Sequence, residues 1–238
     1  AKKIAMSGLI QVNGSTVTDS SIKVDPVRDV IEMEGRKIMY REFIYLMMHK
    51  PAGVVSATED ARDRTVLDLI SEEYRAFRPF PVGRLDKDTE GLLILTNDGQ
   101  LSHRLLSPKN HVPKLYAARV GGRVDAADIE VFKRGVELDD GYVTMPAKLQ
   151  VLNVWYDEER GEYESHIELQ IVEGKYHQVK RMFRAVGKEV KYLKRLEMGT
   201  IRLDPDLKPG TYRELTDKEL VSLSEGARDE HQNHCLGR

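Results

Sequence analysis

The chain has 238 residues, 40% apolar and 32% charged; that suffices for one large domain or one plus a small module, and excludes a disordered, fibrous or disulfide-rich protein. Its 37 basic and 39 acidic side chains leave a formal charge of −2, so overall basicity does not mark a nucleic-acid binder and any such role rests on local asymmetry. The longest strongly apolar run, Phe43 to Met48, is far too short for a membrane span, the first residues hold no signal-peptide core, and the single cysteine, Cys235, lies in a polar tail without a partner; a cytoplasmic, membrane-free protein is expected.

Ala1 to Ser7 reads as the last turn of a helix whose start is missing. Leu9-Ile10-Gln11-Val12 then runs into Asn13-Gly14, the dipeptide of a tight hairpin, and Val17, Ile22, Val24, Val30 and Ile31 continue as short strands. This β-rich module is assigned to residues 1–42, its polar stretch Glu32 to Glu42 supplying a turn at Gly35-Arg36-Lys37 and then a linker. A second domain is assigned to 43–225 and a polar tail to 226–238. In the second domain Phe43 to Met48, Val54 to Thr58, Leu92 to Thr96, Leu115 to Val120, Lys148 to Val154, Tyr163 to Val172 and Val190 to Leu196 read as strands. Capping patterns at Thr65 to Asp68, Asp125 to Asp128 and Thr216 to Glu219 start helices, and Asn97-Asp98-Gly99 turns into a short helix over Gln100 to Leu106. The order is not a regular βαβ alternation, so the class is α+β with a mixed, largely antiparallel sheet.

Two segments are dense in chemistry. Pro81 to Gly99 places Arg84, Asp86, Lys87, Asp88, Thr89 and Glu90 in a loop that leads into a buried strand, where sites are often built. Asp86, Asp88, Glu90 and Gly91 imitate a calcium loop, but Asn97 stands where its last glutamate is needed, so no metal is assigned. In Val172 to Gly187, Val179, Met182, Phe183 and Val186 follow helical spacing, with Lys180, Arg181 and Arg184 on the wetter sides and Gly187 as the stop. From Lys175 to Arg195 eight basic residues face one acid, a stripe suited to phosphates or simply a solvated face. His103, His111 and His177 share no metal-ligand spacing, and His231 and His234 lie in the tail.

Gly83-Arg84-Leu85-Asp86 with Thr89-Glu90-Gly91-Leu92, then Lys114-Leu115-Tyr116, then Glu173 to Met182, taken in this order, resemble the RsuA family of pseudouridine synthases. Met6 to Gly14 is similar to the S4 (α-L) RNA-binding module that precedes the family's catalytic domain, here without its earlier helical residues. Gln100-Leu101-Ser102-His103-Arg104, Ser107-Pro108 and the run Tyr176 to Phe183 look most like the members that act on small-subunit (16S) rRNA, the uridine-516 class. The resemblance implies isomerisation of a uridine to pseudouridine by a monomer, on rRNA met within a partly assembled small subunit, without cofactor or metal. The alternatives are a synthase acting on large-subunit rRNA and a noncatalytic ribosome-assembly factor.

The family's carboxylate falls on Asp86, which would attack C1′ of the ribose or abstract a ribose proton; both remain open. Lys175 is expected to supply the cation that keeps it ionised. Tyr116 corresponds to the tyrosine that stacks on the flipped base, Leu193 to an apolar wall of the base pocket, and Arg84 to a side chain that fills the space the base leaves. His177, Gln178, Lys180, Arg181 and Arg184 are expected to touch RNA. Without the resemblance, Asp86 reads equally as a turn-capping aspartate, Lys175 as a surface lysine, Tyr116 and Leu193 as core, and Arg84 as a salt-bridge partner.

Overall fold

The computed structural model describes residues 2–225 apart from Val27, Met39 and Arg160; Cys235, His231, His234 and the tail 226–238 lie outside the described residues. The chain divides into two compact units, Ala1–Glu42 and Phe43–Arg238. The first holds α1 (Lys2–Met6) and four antiparallel strands, β1 (Ile10–Val12), β2 (Ser15–Val17), β3 (Ile31–Met33) and β4 (Arg36–Ile38), in the order β2-β1-β3-β4. Asn13 and Gly14 take positive φ values of 51° and 79° and close the β1–β2 hairpin between Val12 and Ser15, as this dipeptide requires. Ile22 and Val24 are not in strands: this connection is organised by Asp29, which accepts from the Asn13 side chain and the Asp25 amide. The expected linker is also corrected in part. Glu34-Gly35 closes a second two-residue hairpin and Arg36–Ile38 pairs with Ile31–Met33.

In the second unit the strands are β5 (Tyr45–Lys50), β6 (Phe80–Pro81), β7 (Glu90–Thr96), β8 (Lys114–Gly121), β9 (Lys148–Asp157), β10 (Glu162–Ile171), β11 (Glu189–Met198), β12 (Ile201–Arg202) and β13 (Tyr212–Glu214). They form one sheet in the order β13-β5-β7-β11-β8-β10-β9, with β12 on β11 and β6 on β7; among the strands of the described residues only β7 and β11 run parallel. The helices are α2 (Glu72–Arg75), α3 (Gly99–Leu106), α4 (Ala126–Arg134), α5 (Gln178–Ala185) and α6 (Asp217–Glu225). The fold is thus α+β with a mixed, largely antiparallel sheet. Val54 to Thr58 is not a strand: Val55 makes a single bridge to Thr65, and Ser56 is spent on Leu85.

The core explains the strand patterns. β5 and β7 are buried on both faces, so their residues sort by parity: Met47, Leu92 and Ile94 enter one cluster, and Leu46, Met48, Leu93 and Leu95 another, which makes them unbroken apolar runs. β8 alternates, with Tyr116, Ala118 and Val120 on the face covered by α4 and α5. Phe132 of α4 meets Phe183 of α5 at 4.9 Å between rings, each buried ring worth roughly 2–3 kcal/mol. Helix starts follow their caps: Asp98 accepts from the amides of Gln100 and Leu101, and Asp125 and Asp128 form a reciprocal capping box.

The parallel contact between β7 and β11 spans only Glu90–Lys194 and Gly91–Arg195, and it depends on a missing side chain. A Cβ at Gly91, whose φ is 108°, would stand 2.2 Å from the carbonyl oxygen of Arg195. Gly91→Ala is expected to destabilise the protein by about 3 kcal/mol or more in urea unfolding. Gly99→Ala, at an ordinary φ with open space around it, is expected to stay within about 1 kcal/mol of wild type.

Candidate active site

Four elements converge on one cavity of about 120 Å³: the loop Gly83–Thr89 before β7, Lys114 and Tyr116 of β8, Leu193 and Arg195 of β11, and the turn and first residues of α5. The β8 and β11 side chains share a face because inward positions recur every second residue and Tyr116 pairs with Arg195 across the strands. Tyr116 and Leu193 are buried against this cavity and belong to the core cluster under α5.

The loop carrying Asp86 is held from beneath by Lys50. This lysine ends β5, is 0% exposed, and donates to the carbonyls of Pro51, Asp86 and Thr89 at 3.0, 3.0 and 2.8 Å, with Lys87 O at 3.4 Å. Burial pushes its ammonium down to about 8, against the pull of Asp88, Asp86 and Glu90. Ser56 adds a second hold, donating to Leu85 O and accepting from Leu85 N, and the Gly53 amide donates to Lys87 O. With Leu85 buried, Asp86 is left at the cavity with its carboxyl 25% exposed.

The cation facing Asp86 is Lys180, at 3.0 Å from Oδ2, not Lys175 as the sequence suggested. Lys180 also donates to Asp88 at 2.5 Å. Burial opposes its charge, but the two carboxylates outweigh it and raise its pKa above the usual lysine value. His177 Nε2 lies 3.4 Å from Asp86 Oδ1, and its ring stacks on Tyr176 at 3.8 Å. Lys175 lines the cavity, but its ammonium sits 4.7 Å above the Tyr142 ring. The correction follows from the helix: α5 begins at Gln178, so Lys180 rides on its first turn beside the loop, while Lys175 precedes it.

Most residues expected to touch RNA have partners within the protein. Gln178 is buried, accepting from the Lys175 amide and donating to Glu173, whose carboxylate also takes the Tyr142 hydroxyl and the Met145 amide. Arg181 is clasped by Asp139 and Asp140, and Lys180 by Asp86 and Asp88. Of the three helix cations only Arg184 is exposed. Farther along, Lys188 pairs with Asp128 and Lys191 with Glu162, so much of the basic run is neutralised by acids remote in sequence. Arg84 lines the cavity mouth with an exposed side chain.

The residues sequence reasoning missed are Lys50, Ser56 and Arg195. The signal for Lys50 is a charge closing an unbroken buried strand just before Pro51; for Arg195 it is a charge at an inward position, two residues after Leu193. A carboxylate paired with a half-buried cation, facing an aromatic ring in a partly enclosed cavity, can act as a nucleophile or a base on a small planar group lodged there.

An RNA pseudouridylate synthase family model matches residues 44–185. The chain is 51% identical over 224 residues to an uncharacterised RNA pseudouridine synthase of Bacillus subtilis, with 94% of this chain and 91% of that protein covered. It is 41% identical to the ribosomal small subunit pseudouridine synthase A of Vibrio parahaemolyticus, covering 94% and 92%. It is 39% identical to the ribosomal large subunit pseudouridine synthase B of B. subtilis, covering 94% and 88%. A crystal structure of a pseudouridylate synthase superposes with a TM-score of 0.69 at 34% identity, covering 93% and 91%.

Lys50→Met is expected to keep the fold but free the Asp86 loop. Hydrogen exchange should show backbone protection over residues 83–90 falling by about 10-fold or more, the scale of one or two lost hydrogen bonds, with α4 unchanged.

Proposed function

The chain belongs to the RNA pseudouridylate synthase family, of the RsuA type, and is an RNA pseudouridine synthase; from that premise we propose that it isomerises one uridine of small-subunit (16S) rRNA, with Asp86 acting at C1′ of the ribose. The observation that carries the residue assignment is the pairing of Asp86 with Lys180 at the mouth of a cavity walled by Tyr116 and Leu193. Asp86 attacks C1′ or removes a neighbouring ribose proton. Lys180, 3.0 Å from its Oδ2, holds the carboxylate in place through either course. Tyr116 offers a face for the extruded base, and stacking of this kind contributes about 1–3 kcal/mol per base. Arg84, exposed at the cavity mouth, fills the gap the base leaves and offsets an unstacking cost of a few kcal/mol.

The small-subunit target is supported by the family words in the sequence and by the small-subunit relatives. The large-subunit relative keeps a second target class open to test. Residues 1–42 are proposed to be an S4-like RNA-binding module, and the rRNA to be met in a partly assembled subunit. Because Lys180 and Arg181 are engaged by aspartates, RNA docking is assigned to exposed charges instead: Arg184, and Arg36 and Lys37 of β4.

Isomerisation leaves RNA mass unchanged, so the product is read by carbodiimide labelling and primer-extension stops. One stop is expected in small-subunit rRNA treated with the wild-type chain, and none with Asp86→Asn, whose RNA affinity should stay within about threefold, less than 1 kcal/mol. A stop only in large-subunit rRNA reassigns the target; none in either contradicts the proposal. Replacing both Arg36 and Lys37 with Glu should weaken RNA binding by about 10-fold or more and flatten its salt dependence, because each lost phosphate contact reduces counterion release. An unchanged salt slope would remove β4 from the docking surface.

A further inference from the structure

Beneath the carboxylate, the cavity carries positive charge that the roles above do not use. Arg195 is 3% exposed and lines the cavity. Its Nε donates to Leu92 O at 2.8 Å, its Nη2 is buried with no hydrogen-bond partner, and no carboxylate pairs with it among the described residues. Lys114, 8% exposed and lining the same cavity, donates to the carbonyl of Val112 at 2.7 Å. Burial and the neighbouring Arg195 push its ammonium down to about 8, against the pull of Glu173. The Thr89 hydroxyl, also on the cavity wall, is buried and unpartnered. Taking two like charges out of water without a counter-ion costs several kcal/mol, so such an arrangement favours any anion that forms beside it.

The reaction assigned above, on which this inference rests, makes such an anion. The N1–C1′ bond breaks with its electron pair staying on N1. The sugar carbon is satisfied by a new bond to an Asp86 oxygen, or by passing a neighbouring ribose proton to Asp86 and forming a double bond. By either route the detached uracil is a monoanion, its charge shared among N1, O2 and O4. It must be held while it turns, until C5 attacks C1′; the bond to the Asp86 oxygen then breaks with its electron pair returning to the carboxylate, or the ribose double bond takes its proton back from Asp86, after which C5 gives up its proton and N1 takes one, with no net change in protons. We propose that Arg195 and Lys114, with the Thr89 hydroxyl, hold the uracil monoanion by its carbonyl oxygens during this interval. Cationic donors also suit O4 and repel the amino group cytosine carries at that position, so the same floor selects uracil.

The test separates charge stabilisation from mere packing by changing the acidity of the leaving base. Arg195→Met, and Lys114→Met as a second variant should the first fail to fold, are compared with wild type in single-turnover reactions. The substrate is the rRNA segment the wild type modifies, made with uridine or the more acidic 5-fluorouridine at the target, and the readout is loss of the N-linked target nucleoside from nuclease digests. With uridine the variants should be slower by about 100-fold, the usual effect of losing one donor to a developing anion, at unchanged RNA affinity. With 5-fluorouridine, whose anion needs less help, the deficit should shrink by about 10-fold. An equal deficit on both bases, or weaker RNA binding at an unchanged single-turnover rate, overturns the inference while leaving the site assignment standing. A wild-type chain that consumes neither base overturns both.

Discussion

A lysine ammonium buried among backbone carbonyls is the constraint on which the site depends. Lys50 binds Pro51, Asp86, Lys87 and Thr89 carbonyls from inside the protein, much as a metal ion would organise a loop. A hydrophobic residue there would leave the Pro51 and Thr89 carbonyls without their donor in a dry interior, each at a cost of about 1–3 kcal/mol, while Asp86 O and Lys87 O would keep the Thr89 and Gly53 amides alone. The consequence runs outward. With the carbonyls turned down to Lys50, and Leu85 tethered by Ser56, the Asp86 carboxylate is turned up to the cavity, within reach of Lys180. Gly91 completes the support, because only a residue without a side chain lets β7 approach β11 at Arg195 and so join the loop to the strand that floors the cavity.

Charge is arranged in two layers. Asp86 and Asp88 take up Lys180 at the mouth, whereas the more buried Arg195 and Lys114 donate to the backbone carbonyls of Leu92 and Val112. A negative group at the top and positive ones below suit a reaction that needs an ionised carboxylate toward the sugar and an electron sink toward the base. Outside the cavity, acids scattered along the chain, Asp128, Asp139, Asp140 and Glu162, pair with cations clustered between Lys175 and Arg195.

The strands and capped helices were legible because their signals are local. Asn13-Gly14 turns wherever two strands flank it, Asp125 caps the helix that follows, and β5 and β7 advertise their burial as apolar runs. That Asp86 and Tyr116 share one cavity was legible through family words. What sequence could not show is which partners meet across long separations. Lys180 and Asp86 are 94 positions apart and Lys175 lies only five residues earlier, so only the start of α5 decides which of them faces the carboxylate. Val54 to Thr58 has strand propensity, yet its backbone and Ser56 are claimed by Arg64, Val66 and Leu85. The pairing of the basic run was hidden for a related reason, since its acidic partners come from α4, β10 and the loop after α4.

The account stands on one meeting of groups: the Asp86 carboxylate and the sugar of a uridine whose base has left its stack and lies on Tyr116. A co-crystal structure of the Asp86→Asn chain with its unreacted rRNA segment tests this directly. The account predicts the base against the Tyr116 ring, and C1′ about 3.5 Å from the residue 86 side chain, the separation of a near-attack geometry. A target uridine still stacked in its RNA helix, or a base lodged away from residues 86 and 116, would contradict it.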